Sequence, residues 1–118
     1  MCHFLKLNKV DNYIDESLKD SVGRKNSWGL YDDFLFQHAV GSIAFDENPR
    51  FDVYLTLTTH DPFEYPEQEK YIKQYENIIK DKKITREQKK QIREYASYLY
   101  LDESVKKLLE SYKLKTGF

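Results

Sequence analysis

The sequence feature that most constrains the fold is one segment in which apolar and polar residues alternate. In residues 51–59, FDVYLTLTT, one side is formed by Phe51, Val53, Leu55 and Leu57, and the other by Asp52, Tyr54, Thr56 and Thr58. A period of two in β-branched and aromatic residues is typical of a strand. One strand cannot form a sheet, so other segments must supply its neighbours.

The predicted strand ends at a corner, HDPFEYP, that runs from His60 to Pro66. Two prolines within five residues exclude regular structure there, because proline fixes φ and lacks an N–H group. Ligands of open α/β sheets bind beyond the carboxyl ends of strands. A histidine at this place could donate to an anionic oxygen or transfer a proton. The alternative is a turn histidine that only ends the strand.

Three further segments carry the helical period. Residues 30–45 and 67–80 each place apolar side chains at steps of three and four. Thr85 and Gln88 fit a capping box, which predicts a helix from there to about residue 113, with a possible kink near 100–103. The chain contains ten tyrosines and seven phenylalanines, and we expect most of these rings to pack in the core.

These elements predict the order strand, loop, helix, strand, loop, helix, helix. The first strand would be short, at residues 10–14, and residues 15–27 favour a surface loop. A chain of 118 residues is long enough for one domain and too short for two. The pattern therefore predicts an α/β chain that forms one partial domain over residues 1–118.

Composition argues against several classes of protein. Nineteen basic against 20 acidic residues give a net charge of -1, without the basic excess of a nucleic-acid binder. Cys2 is the single cysteine, which excludes an internal disulfide. His3, His38 and His60 are far apart, so we expect no zinc site, and His38 should pack on an apolar helix face. No window approaches the roughly 18 apolar residues of a spanning helix.

A second candidate site is the segment NSWG with the acidic residues that follow it. Trp28 could line a pocket, and Tyr31, Asp32 and Asp33 lie close behind it. In the interpretation that we favour, Asn26 or Ser27 caps the helix and the tryptophan packs against it.

Four segments, taken in order, resemble the sulfatase-like phosphoglycerol transferases, the lipoteichoic acid synthase branch of the alkaline phosphatase superfamily. Residues 10–15 are similar to the family's G-F/Y-D-x-x-x-D strand, and residues 27–36 to its WG-x-x-D-x-x-x-F segment. Residues 51–66 look like its strand and T-x-S/T-x-H-x-P-Y/F corner. Residues 95–109 are similar to its Y-x-N-S-x-x-Y-x-D-x-x-L-x-x-F-F helix.

The resemblance implies that this chain is a central fragment of a three-layer αβα domain. In that family a divalent metal (Mn, Mg, Ca or Zn) activates a Thr, Ser or Cys-derived nucleophile, and acidic residues upstream and an Asp-His pair downstream hold the metal. These groups are expected outside this sequence, so the chain alone would hold no cofactor and be inactive. His60 matches the histidine that contacts the phosphate-type group of the substrate.

The implied substrate is an anionic phosphate or sulfate ester, and intact relatives are membrane-anchored with the catalytic domain outside the cytoplasm. Unpaired strand edges and uncovered apolar helix faces predict self-association. A different class of function stays open, because tyrosine-rich helices without a complete catalytic set also suit a small, mostly helical interaction module.

Overall fold

The computed structural model describes residues 2–15, 17–18, 22–43 and 49–116, and helices dominate this part of the chain. The helices are α1 (Cys2–Leu7), α2 (Asp32–Ser42), α3 (Gln68–Ile79), α4 (Arg86–Lys90) and α5 (Ile92–Thr116). Helix α5 is the central element, because α2, α3 and α4 all contact it. Among the described helices, none has the length and apolar character needed to cross a bilayer.

The prediction of an α/β fold is wrong, because the described chain is mainly α. Neither residues 51–59 nor residues 10–14 form a strand, and the described residues contain only an isolated antiparallel bridge between Lys25 and Leu30. A strand is stabilised by hydrogen bonds to a neighbouring strand, and no described segment forms a ladder of backbone hydrogen bonds with residues 51–59. The three-layer αβα architecture is therefore not the fold of this chain.

The alternation within residues 51–57 nevertheless governs how this segment packs. The Tyr54 ring meets Phe36 of α2 edge-on, with ring centroids 5.4 Å apart, and its hydroxyl lies 2.8 Å from that of Tyr112 on α5. The opposite side is exposed to solvent, and its exposed residues are Phe51 (90%), Val53 (76%) and Leu55 (53%). The more polar side therefore covers the helices, and the apolar side chains of Phe51, Val53 and Leu55 have little cover among the described residues.

The helices agree closely with the sequence periodicity. Helices α2 and α3 lie within the predicted ranges 30–45 and 67–80. The capping box is present, since Thr85 accepts from Gln88 N (3.2 Å) and donates its own N–H to the Gln88 side chain (2.8 Å). Helix α5 continues without interruption through residues 100–103.

The interruption of the last helix lies at Gln91, between α4 and α5. Its N–H is shared between the carbonyls of Glu87 and Gln88, each 3.3 Å away. Such sharing tightens the last turn of a helix toward 3₁₀ geometry. The sequence shows no glycine or proline here, so the break had no signal of the usual kind.

An aromatic core joins α3, α5 and the corner after residue 60. Tyr65 of the corner stacks on Tyr100 of α5 at 5.4 Å, and Tyr71 of α3 meets Tyr100 edge-on at 5.5 Å. Ala96, fully buried on α5, belongs to the same cluster. The expectation that tyrosine rings pack is confirmed for these residues. This core attaches the predicted site corner to the central helix.

We predict that Tyr100→Ala lowers the free energy of unfolding by about 3–5 kcal/mol, because it removes the ring at the centre of this core. Tyr100→Phe keeps the ring and should cost about 1–3 kcal/mol, because Asp33 loses a hydrogen-bond donor. Urea unfolding followed by circular dichroism measures both. Tyr98→Ala, at a half-exposed ring on the same helix, is the control. A loss at Tyr98 equal to that at Tyr100 would contradict the assignment of the core.

Candidate functional site

Two consecutive turns shape the corner that carries His60. His60 N donates to the Leu57 carbonyl (3.0 Å), and Phe63 N donates to the His60 carbonyl (2.8 Å). The His60 side chain is exposed, and its Nδ1 lies 2.8 Å from the carbonyl oxygen of Asp61. A carbonyl only accepts, so Nδ1 carries the proton of this hydrogen bond. The Nε2 atom is then the ring nitrogen left for a ligand: it is a base when the ring is neutral and a donor when the ring is protonated.

A compact loop, residues 24–31, lies beside this corner. The Asn26 side chain organises it, since its Oδ1 accepts from the N–H groups of Trp28 (2.9 Å) and Gly29 (3.2 Å). An asparagine that bonds the backbone two residues ahead is a recurrent device for tight turns. Its Nδ2 donates to the Glu64 carbonyl at 3.3 Å, which ties the loop to the corner.

Gly29 lies where the loop approaches the segment before the corner. A Cβ atom at this position would lie 2.7 Å from Cδ1 of Leu57, closer than carbon atoms can pack. The absence of a side chain lets the loop settle against residue 57. Trp28, the residue before Gly29, therefore lies beside His60.

The rings of Trp28 and His60 are in contact, with centroids 4.3 Å apart and planes tilted by 49°. Trp28 is 53% exposed, so the pair forms an open surface rather than a closed pocket. The structure thus joins the two candidate regions that the sequence analysis treated separately. The favoured interpretation of the NSWG segment, in which Asn26 or Ser27 caps the helix, is wrong: the N-cap residue of α2 is Tyr31, and the Asn26 Oδ1 accepts from N–H groups of its own loop.

A buried carboxylate, Asp32, fixes the first turn of α2 to the segment before the corner. Its Oδ1 accepts from Leu57 N at 3.1 Å, and its own N–H points to Thr58 Oγ1 at 3.4 Å. The side chains of Asp32 and Thr58 are both almost completely inaccessible. Since the first N–H groups of a helix lack partners within the helix, Thr58 satisfies one of them.

The next residue, Asp33, fixes the first turn of α2 to helix α5. Its Oδ1 accepts a short hydrogen bond of 2.5 Å from the Tyr100 hydroxyl, and its N–H donates back to that hydroxyl at 3.3 Å. Burial, and then the bond to Asp33, raise the pKa of Tyr100 well above its usual range. The hydroxyl therefore stays a donor, and the loop, the corner and the aromatic core form one connected unit.

The remaining candidate residues lie elsewhere. His38 of α2 is half-buried with its ring 6.1 Å from that of Phe34, which agrees with a packing role. The side chains of Cys2 and His3 lie outside the described residues. Where the chain is described, no three His, Cys, Asp or Glu side chains converge on a point that could hold a metal ion. The divalent metal of the resemblance therefore has no fitting set of ligands in this part.

Comparison of the chain with protein-family models, with curated proteins and with solved structures found no match in any of the three.

Asp32 should impose a distinctive pH dependence on stability. Burial raises its pKa above the ordinary value of 3.8, against the hydrogen bonds from Thr58 and Leu57, and its Oδ2 has no partner among the described residues. The folded state then binds the proton more tightly than the unfolded state. The free energy of unfolding must fall as the pH rises from about 4 through the raised pKa.

We predict that Asp32→Asn removes this fall, because asparagine cannot ionise. Urea unfolding of both chains between about pH 4.5 and 7 measures the slope. Glu103, whose pKa Lys107 and Lys70 lower from 4.5 to about 2, loses its contribution only as the pH falls below that window. Asp81→Asn, in the exposed turn after α3, is the matched control. Equal slopes for wild type and Asp32→Asn would contradict the assignment to Asp32.

Proposed function

We propose that this chain contributes the substrate-binding corner of a metal-dependent enzyme that acts on phosphate or sulfate esters, of the kind represented by the sulfatase-like phosphoglycerol transferases. His60 is the residue that contacts the anionic group. The catalytic nucleophile and the metal ligands belong to residues outside this sequence, so the chain by itself binds the ester without cleaving it.

The contact between Trp28 and His60 is the observation that supports this proposal most. A protonated imidazole whose Nδ1 is held by the Asp61 carbonyl aims Nε2–H at one direction, and a charge-assisted hydrogen bond to an anionic oxygen is among the stronger ones. The tryptophan ring covers one side of the imidazole. Its apolar surface suits the carbon part of a small ester, such as glycerol phosphate.

The buried anchors below the corner give the site its rigidity. Asp32 and Thr58 hold the chain two residues before His60, and Tyr65 holds it five residues after. A binding group on a loop is effective when a rigid scaffold limits its positions. The exposed histidine is thus supported from both sides by buried contacts.

The exposed apolar side of residues 51–57 favours a second candidate function, a protein-interaction module. Phe51, Val53 and Leu55 face solvent in alternate positions, and an exposed apolar row of this kind is typical of a surface that packs against a partner protein. The mainly α fold also agrees with this alternative. If the wild-type chain binds no phosphate or sulfate ester, the interaction module is the function that remains.

The proposal predicts ester binding that depends on His60. Trp28 is the only tryptophan, so its fluorescence reports on the adjacent imidazole directly. Titration with glycerol phosphate or methyl sulfate should change the emission of the wild type to saturation. His60→Gln should weaken binding by about tenfold or more, because it removes a charge-assisted hydrogen bond.

Lys82→Gln, in the turn after α3, removes one exposed positive charge away from the corner and should leave the affinity unchanged. Equal affinities for His60→Gln and the wild type would rule out His60 as the anion-binding residue.

We also predict no turnover of bis-p-nitrophenyl phosphate by the purified chain with Mn²⁺, Mg²⁺, Ca²⁺ or Zn²⁺ added singly. The reason is that the nucleophile and the metal ligands are assigned to residues outside this sequence. Release of nitrophenolate above the buffer control, in proportion to protein concentration, would show that the chain carries a complete catalytic set.

A further inference from the structure

The outer face of helix α5 bears an apolar strip without cover in the described part of the chain. Val105 is 37% exposed and Leu109 is 56% exposed, although they lie one turn apart in the middle of the longest helix. Both residues line a shallow, open depression on the surface of the helix. Its lining residues are Asp102, Val105, Lys106, Leu109, Glu110 and Lys113. Helices α2 and α3 pack against other sides of α5, so this face is not part of the core.

The charges beside this strip alternate in sign along the helix. They follow the order Asp102, Lys106, Glu110, Lys113. Among the described ion pairs of 4.0 Å or less, none includes any of these four residues, whereas Lys107 and Glu103 on a neighbouring face of the same helix do pair, at 2.8 Å. The four charges are therefore available to a partner.

The row of charges and the apolar strip are complementary to the same features on a second copy of α5 that runs in the opposite direction. In an antiparallel pair of α5 helices related by a two-fold axis near residues 107 and 108, Lys106 lies opposite Glu110 of the other copy. In the same arrangement Asp102 lies opposite Lys113, and Val105 opposite Leu109. The midpoints of the three pairs all lie between residues 107 and 108. One axis therefore fits all three pairs to within about one residue, or roughly 1.5 Å along the helix.

A two-fold axis also places like sides together. The apolar strip of one helix meets the apolar strip of its copy, and the charged row meets the charged row with opposite signs in register. Such an interface is isologous, with the same patch used on both chains.

We propose that the exposed face of α5, residues 102–113, is a homodimer interface in which two copies pack antiparallel. The interface is small, so the dimer belongs to the weak, concentration-dependent class. It is separate from the corner at His60 and does not depend on the function proposed for that corner.

Charge exchange tests this interface. Sedimentation analysis over a concentration series, with a reductant present so that Cys2 cannot cross-link chains, should show reversible dimerisation of the wild type. Lys106→Glu and Glu110→Lys should each raise the dissociation constant by about tenfold, because each creates two like-charge contacts. The double variant, with both changes, should recover the wild-type value.

An equimolar mixture of the two single variants is the decisive measurement. Glu at 106 of one chain then meets Lys at 110 of the other, so the mixture should form a heterodimer whose dissociation constant is lower than that of either variant alone. Intrahelical effects of the substitutions cannot produce this recovery, and circular dichroism checks that each variant remains helical.

Leu109→Asp should abolish the dimer, and Lys73→Glu, a charge reversal at an exposed position of α3, should leave it unchanged. A wild-type chain that is monomeric at every concentration would overturn the proposal, as would a mixture that stays monomeric. Dimerisation that persists in Leu109→Asp would assign self-association to another surface, such as the apolar side of residues 51–57, and would equally overturn it.

Discussion

The structure depends on the way in which two adjacent carboxylates hold the start of α2. Asp32 accepts a backbone hydrogen bond from Leu57, and Asp33 accepts one from the Tyr100 hydroxyl. Both interactions are at least partly buried, and a buried hydrogen-bonding group that loses its partner costs free energy. They add to the packing of α2 on α5 and of Tyr54 on Phe36, and they fix the irregular segment before the corner to both helices. Burial of Asp32 raises its pKa, so the same residue that joins these elements also opposes the folded state when it is ionised.

This anchoring gives an exposed histidine a defined position. The Asn26 side chain folds the loop that carries Trp28, and Gly29 allows that loop to lie against Leu57. On the other side, Tyr65 holds the corner in the aromatic core. The candidate site is thus an open surface on a buried frame, which suits recognition of a small anionic group more than enclosure of a large ligand.

Several elements followed from local sequence signals, because their causes are local. The capping box at Thr85 and Gln88 and the helical periods of α2 and α3 involve residues that are close in the chain. The prediction of a strand at residues 51–59 was wrong because the cause of a strand is not local. A strand exists only with a neighbouring strand, and propensity alone cannot provide one. The break at Gln91 was also not predicted, because an N–H group shared between two backbone carbonyls requires no particular residue type in the sequence.

The sequence by itself determined the helical segments of α2 and α3 and the start of α4, that tyrosine rings pack in the core, and that the corner at His60 is irregular and polar. Only the tertiary structure decided that Trp28 lies on His60, that Phe51, Val53 and Leu55 face outward, and that Asp32 is buried. These three outcomes depend on contacts between residues more than 20 positions apart. Such contacts arise from the packing of whole elements, whose geometry no local period or motif specifies.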